Sequence, residues 1–203
     1  KLPRTIPLNC IQDILTYTYK QHSLADSKYQ KEVTLRNIVV LELLFSTGMR
    51  VSEVSNIKTS AINLGDNTIR ILGKGSKERI MCISNDLSKT ISNYLVSRSK
   101  KSDYLLINRL GNRLSEQSIR YMVNDYANAV GAPLHITPHM FRHTFATELH
   151  NEDVDIRYIQ QFLGHSSIAT TQIYTHISTS KTREILESKH PRNKMNLSIN
   201  KIE

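Results

Sequence analysis

The chain has 203 residues, 39% of them apolar, enough for one domain with a hydrophobic core that needs no disulfide or metal staple. Lys and Arg number 27 against 18 Asp and Glu, a formal charge of +9, which favours a polyanionic partner, nucleic acid first, over an acidic metabolite; a solvated basic surface is the alternative. Cys10 and Cys82 match neither a zinc nor a redox spacing, no apolar run reaches the ~20 residues of a membrane span, and the start lacks a signal-peptide core, so a soluble cytoplasmic protein that uses no membrane is expected.

The opening, Lys1-Leu2-Pro3-Arg4, reads as a linker, as in the C-terminal part of a longer chain. Leu8, Ile11, Ile14 and Leu15 recur at helical spacing and predict a helix over 8–20, with Asn9 as its candidate cap. From Val33 to Phe45, "VTLRNIVVLELLF" suits a helix buried on most sides, stopped by Thr47-Gly48, and a short helix restarts through "MRVSEVSNI". The period then changes. "SAINL", "TIRIL" and "ERIMCIS" alternate, separated by Gly65-Asp66-Asn67 and by Gly73-Lys74-Gly75-Ser76, and predict a three-stranded antiparallel sheet.

Helical spacing returns over 86–98 and over 115–130, where Ile119, Val123, Tyr126 and Val130 form one stripe. Thr137 and Pro138 are a cap and first-turn proline for "HMFRHTFATELH". Further helices fit 156–163, 167–175 and 181–189, with Pro191 ending the last before a polar tail. The sum is an α+β fold, mostly helical, with one small sheet.

His139 and Arg142, three apart, share a helix face opposite Phe141, Phe145 and Leu149; such a polar pair needs hydrogen-bonding partners or a ligand. Histidines at 135, 139 and 143 raise a zinc site, but the metalloprotease pattern requires Glu where Met140 stands, so no metal is expected. Arg50 lies at a helix start, where an anion is favoured, and Glu53 is placed to hold its guanidinium. Lys74 sits at a glycine-flanked hairpin tip, able to reach into a groove; Lys77 and Arg79 beside it are candidates for phosphate contact or simply solvated. His165 and Tyr174, nine apart, would point to opposite sides of an unbroken helix, so Ser166 or Ser167 is expected to cap a new one.

Together "TGMRVSEV", "GKGSKER", "HMFRHTFAT", "LGHSSIATTQIYTH" and "HPR" resemble, in order, the motifs of the catalytic domain of tyrosine site-specific recombinases, the family of phage integrases, Cre and the Xer recombinases. They are most like the Xer branch and related transposon integrases. The resemblance implies that Arg50 and Arg142 bind the scissile phosphate, Lys74 is the hairpin lysine, His139 and His165 assist, and Tyr174 is the nucleophile, with Glu53 supporting Arg50. It implies a site-specific recombinase working through a 3′-phosphotyrosyl intermediate and a Holliday junction. Its partners would be duplex DNA at recombination sites and further protomers, as a tetramer or with a related recombinase, and no cofactor is called for.

By the same resemblance 1–176 form the catalytic domain, the N-terminal core-binding domain is absent from this chain, and 177–203 form a helix and tail. Amphipathic through Ile185 and Leu186, that last helix suits either docking on a neighbouring protomer or folding onto its own domain. Rival readings are a type IB topoisomerase, which shares the Arg, Lys, His and Tyr chemistry, and a non-catalytic DNA-binding protein on the same scaffold.

Overall fold

The computed structural model describes residues 4–73, 78–164 and 179–195. Helix α1 (Leu8–Ser23) leads into α2 (Lys28–Thr47), which runs through the middle of the fold against α1, α4 (Asn85–Ser97) and α6 (Pro138–Asn151). From Ile38 to Phe45 every α2 side chain is buried, and each fully buried Leu, Ile, Val or Phe stabilises the fold by about 1.5–3 kcal/mol relative to exposure. The helix begins five residues before the predicted Val33. Ser27 and Gln30 cap it reciprocally, the Ser27 hydroxyl accepting the Gln30 N–H and the Gln30 side chain accepting the Ser27 N–H, both at 3.1 Å.

Two predicted caps behave differently. Helix α1 starts at Leu8 behind Pro7, and Asn9 lies inside its first turn, its side chain taking the Cys10 N–H. Thr137 does occupy the position before α6, followed by Pro138, but its hydroxyl makes no capping bond. Glycine makes the predicted stop after α2: Gly48 takes φ +60°, a left-handed conformation, and α3 (Val51–Ser55) follows.

The sheet is antiparallel in the order β1 (Ile62–Asn63), β2 (Thr68–Leu72), β3 (Glu78–Cys82). Its first strand is shorter than "SAINL" because Thr59–Ala61 form a 3-10 turn. Ile69 faces Met81 and Ile71 faces Arg79 across β2 and β3, which puts Ile69, Ile71 and Met81 into the core and leaves Arg70, Leu72, Glu78 and Ile80 exposed on the other face. Helix α5 (Glu116–Ala129) buries Ile119, Val123 and Ala127, with Tyr126 and Val130 half-buried at the margin of the stripe.

Helix α7 (Ile156–Leu163) packs on α6 and β3 and ends at Gly164, again left-handed. The expected helix over 167–175 lies outside the described residues. Helix α8 (Thr179–Lys189) lies against β3 of its own domain, with Ile185 and Leu186 in the core. Beyond it Pro191–Lys194 form a 3-10 turn, fastened by the Arg192 fork on Glu42 and by His190 on the Ser46 carbonyl, and the rest of the expected polar tail, 196–203, lies outside the described residues. Cys10 and Cys82 are free and buried, and among the described residues no helix is long and apolar enough to cross a membrane.

Candidate active site

Three helix ends meet at one groove. Gly48 turns the chain so that Met49 enters the core and Arg50 emerges at the start of α3. A Cβ on Gly48 would stand 2.5 Å from Phe145 Cδ1, so glycine also permits α6 to approach. Helix α6 buries Phe141 and Phe145 and carries His139 and Arg142 toward the other side. Arg50, Ser52, Thr137, His139 and Arg142 line the groove, with Glu116 and Arg120 of α5, an ion pair at 2.9 Å, at its margin.

Arg142 is 6% exposed, and among the described residues no carboxylate bonds to it. Its Nη1 donates to the Gly48 carbonyl at 2.9 Å and its Nη2 to the Leu163 carbonyl at 2.8 Å. These are the C-terminal ends of α2 and α7, where helix dipoles favour a cation. Burial, reinforced by like charge from Arg50 and Arg79, pulls its pKa down to about 10, so it remains a cation at neutral pH.

Arg50 is held more loosely. Its side chain is 44% exposed and touches Glu53 through one 3.3 Å contact, Nη1 to Oε1, while its backbone N–H donates to Glu53 Oε2 at 2.8 Å. Glu53, three residues on, thus touches both the Arg50 guanidinium and its backbone N–H. The stronger partner of that carboxylate is Arg79, which forks onto it with Nη1 to Oε1 at 2.9 Å and Nη2 to Oε2 at 2.8 Å. Burial by itself would raise the Glu53 pKa; the Arg79 fork, the Arg50 N–H and the two guanidinium charges outweigh it and hold the carboxyl below its ordinary value.

Arg79 therefore differs from the expected solvated or phosphate-contacting cation. It points inward from β3, 11% exposed, and its Nε–H also donates to the Phe162 carbonyl at 3.0 Å. A Cβ on Gly164 would lie 2.8 Å from its Nη1, so the left-handed glycine that closes α7 makes room for the guanidinium. Strand alternation carried the signal: Arg79 shares a face with Met81, which is buried.

The fold brings together Arg50, Glu53, His139 and Arg142 of the predicted set. Lys74, Lys77, His165 and Tyr174 lie outside the described residues; the Leu72–Glu78 pair brackets the first two, and His165 directly follows Gly164. Among the described residues no group of three or more His, Cys, Asp or Glu side chains is placed to hold a metal, the histidines at 135, 139 and 143 included. Chemically, the groove offers one buried and one half-exposed guanidinium and an exposed imidazole, a setting for a phosphate oxyanion and a proton acceptor.

The α+β arrangement has counterparts among known proteins. The phage integrase family matches residues 11–181. A tyrosine recombinase of Agathobacter rectalis is 51% identical over 94% of this chain and 64% of its own length, and tyrosine recombinase XerC of Staphylococcus carnosus is 42% identical over 79% and 55%. The structure of XerH site-specific recombinase bound to difH substrate, a pre-cleavage complex, superposes with a TM-score of 0.69 at 28% identity, covering 91% of this chain and 54% of that one. The chain belongs to the phage integrase family, the tyrosine site-specific recombinases. It spans less than two thirds of the length of the curated relatives it matches.

Proposed function

We propose that this chain is the catalytic part of a bacterial, cytoplasmic enzyme that cleaves and rejoins DNA at specific sites. The observation that carries the reading is Arg142, a buried guanidinium seated on two helix-end carbonyls and bordering a groove with Arg50 and His139. A charge so placed needs an anion, and a phosphodiester is the polyanion's own. The names of the relatives and the DNA substrate held by XerH support the same reading.

In the proposed reaction Arg50 and Arg142 bind the non-bridging oxygens of the scissile phosphate and stabilise the charge that grows as phosphorus becomes five-coordinate. His139 takes the phenolic proton of Tyr174, whose pKa would otherwise leave only about one phenolate in a thousand near neutral pH. The phenolate oxygen bonds to phosphorus, the bond to the 5′-oxygen breaks, and Lys74 delivers a proton to that leaving oxygen while His165 donates a hydrogen bond to the phosphate. The products are a 3′-phosphotyrosyl ester and a free 5′-hydroxyl. Since one ester replaces another, the exchange balances without a nucleotide or redox cofactor. Attack by the 5′-hydroxyl of a second duplex reverses the step and exchanges strands; four protomers acting in pairs would pass through a Holliday junction.

The test is covalent capture. A nicked suicide duplex incubated with the whole protein should give a protein–DNA adduct on a denaturing gel, and Tyr174→Phe should give none. An adduct that survives this substitution rejects Tyr174 as nucleophile. Holliday junctions formed from two marked duplexes separate a recombinase from a topoisomerase-like enzyme.

A further inference from the structure

The Glu53 carboxylate has two guanidinium suitors. Arg79 forks onto both oxygens at 2.8 and 2.9 Å, whereas Arg50 reaches one of them at 3.3 Å. A carboxylate can neutralise one cation, and the bidentate, nearly buried partner has the stronger claim. With Arg79 in place, the positive charge of Arg50 stays available to the groove that its half-exposed side chain lines. Without Arg79, Glu53 would be a buried anion 3.3 Å from Arg50, and desolvation would drive the two into a closed pair. Arg79 also ties β3 to the Phe162 carbonyl, one residue from the Leu163 carbonyl that Arg142 holds.

We propose that Arg79 is a positioning residue for DNA cleavage: by occupying Glu53 it keeps Arg50 free for the scissile phosphate, and by bonding to Phe162 it fixes the helix end on which Arg142 rests. The inference rests on the reading under Proposed function, but it concerns a residue that need not touch DNA. It has a signature that a purely structural salt bridge lacks. Removing Arg79 is harmful to the rate mainly because Glu53 is left to capture Arg50, so removing the Glu53 charge as well should restore part of the rate.

The experiment uses the whole protein and a pool of nicked duplexes with randomised core sequence, from which the wild type first captures its preferred sites. Single-turnover rate constants are then measured on those sites at saturating protein, alongside melting temperatures and duplex affinity. Arg79→Ala should lower the rate constant about thirtyfold, as loss of a charge-assisted hydrogen-bond pair does. Arg79→Ala combined with Glu53→Gln should regain about fivefold of it. Gln still accepts the Arg50 N–H but has no charge with which to hold the guanidinium.

A structural role alone would lower the melting temperature and the reactive fraction, with the rate constant of the folded molecules unchanged. Arg79→Lys and Gly164→Ala, whose methyl group would crowd the Arg79 guanidinium, decide the question if Arg79→Ala does not fold; each should slow cleavage about tenfold. Wild-type rate constants in the Arg79 variants, or a double variant no faster than Arg79→Ala, overturn the proposal. If the wild type captures no duplex, the recombinase reading fails instead. Duplex affinity then still decides the role of Arg79: it should fall several-fold in Arg79→Ala and partly return in the double variant, and unchanged affinity overturns the inference.

Discussion

At the scale of single residues, the groove contains two arginines that differ in kind. Arg142 is locked on two carbonyls, whereas Arg50 is half-exposed with one long side-chain contact. A guanidinium can bridge two carbonyls and still turn a remaining edge to a ligand; an ammonium cannot cover the same points. Arg142→Lys, which keeps the charge, should therefore slow single-turnover cleavage more than about a hundredfold, the size of effect seen when a preorganised donor at a developing oxyanion is lost. Duplex affinity, which many other cations share, should fall less than about tenfold. Equal losses in rate constant and affinity would mean that Arg142 binds DNA without favouring the transition state. H-x-x-R spacing made Arg142 a candidate in the sequence, but its two carbonyl partners are 94 and 21 residues away and only the folded chain supplies them.

At the scale of elements, α2 sets most of the arrangement, and it contains the acid Glu42 in an otherwise apolar stretch. Tyr19 of α1 and the Arg192 fork satisfy it, and neighbouring His190, buried beside Phe45 and Phe145, donates through Nε2 to Ser46 and accepts the Arg192 N–H at Nδ1. The bond accepted at Nδ1 requires the neutral imidazole, and the bond donated from Nε2 fixes its tautomer. Burial, with Arg192 adding like charge against the opposing Ser46 bond, lowers the His190 pKa to about 4.

Because the unfolded chain protonates this histidine near pH 6.5 and the fold resists until about 4, its contribution is complete above 6.5 and is lost as pH falls through that window, by roughly 3 kcal/mol in all. Urea midpoints measured from neutral to acidic pH should decline more steeply in the wild type than in His190→Gln; parallel declines would show that His190 does not contribute. Glu42 and "HPR" were both visible in the sequence, yet nothing in it joins residues 150 apart. The cap of α2 was more legible, since Ser27 and Gln30 have the spacing of a reciprocal cap, although the apolar run starts later and masks it.

At the scale of the whole molecule, the charge of +9 makes DNA affinity a measure of counterion release. Duplex binding should weaken about a hundredfold or more between roughly 50 and 200 mM salt, as expected when four or more phosphates are contacted. Binding isotherms across that range check it, and a flat response would remove the basic surface as the DNA face. What the sequence by itself determined is what local physics dictates: the helical and alternating periods, the glycine stop after α2, the hairpin strands, and the residue types and spacings that single out Arg50, Glu53, His139 and Arg142. Only the tertiary structure decided how charge is shared among them. It turned Arg79 inward onto Glu53, seated Arg142 on two helix ends, and laid α8 and the His190–Arg192 turn on their own domain. The reason is that hydrophobic period and turn chemistry act over a few residues, whereas a buried charge is satisfied by whatever groups packing brings within about 3 Å, irrespective of their separation along the chain.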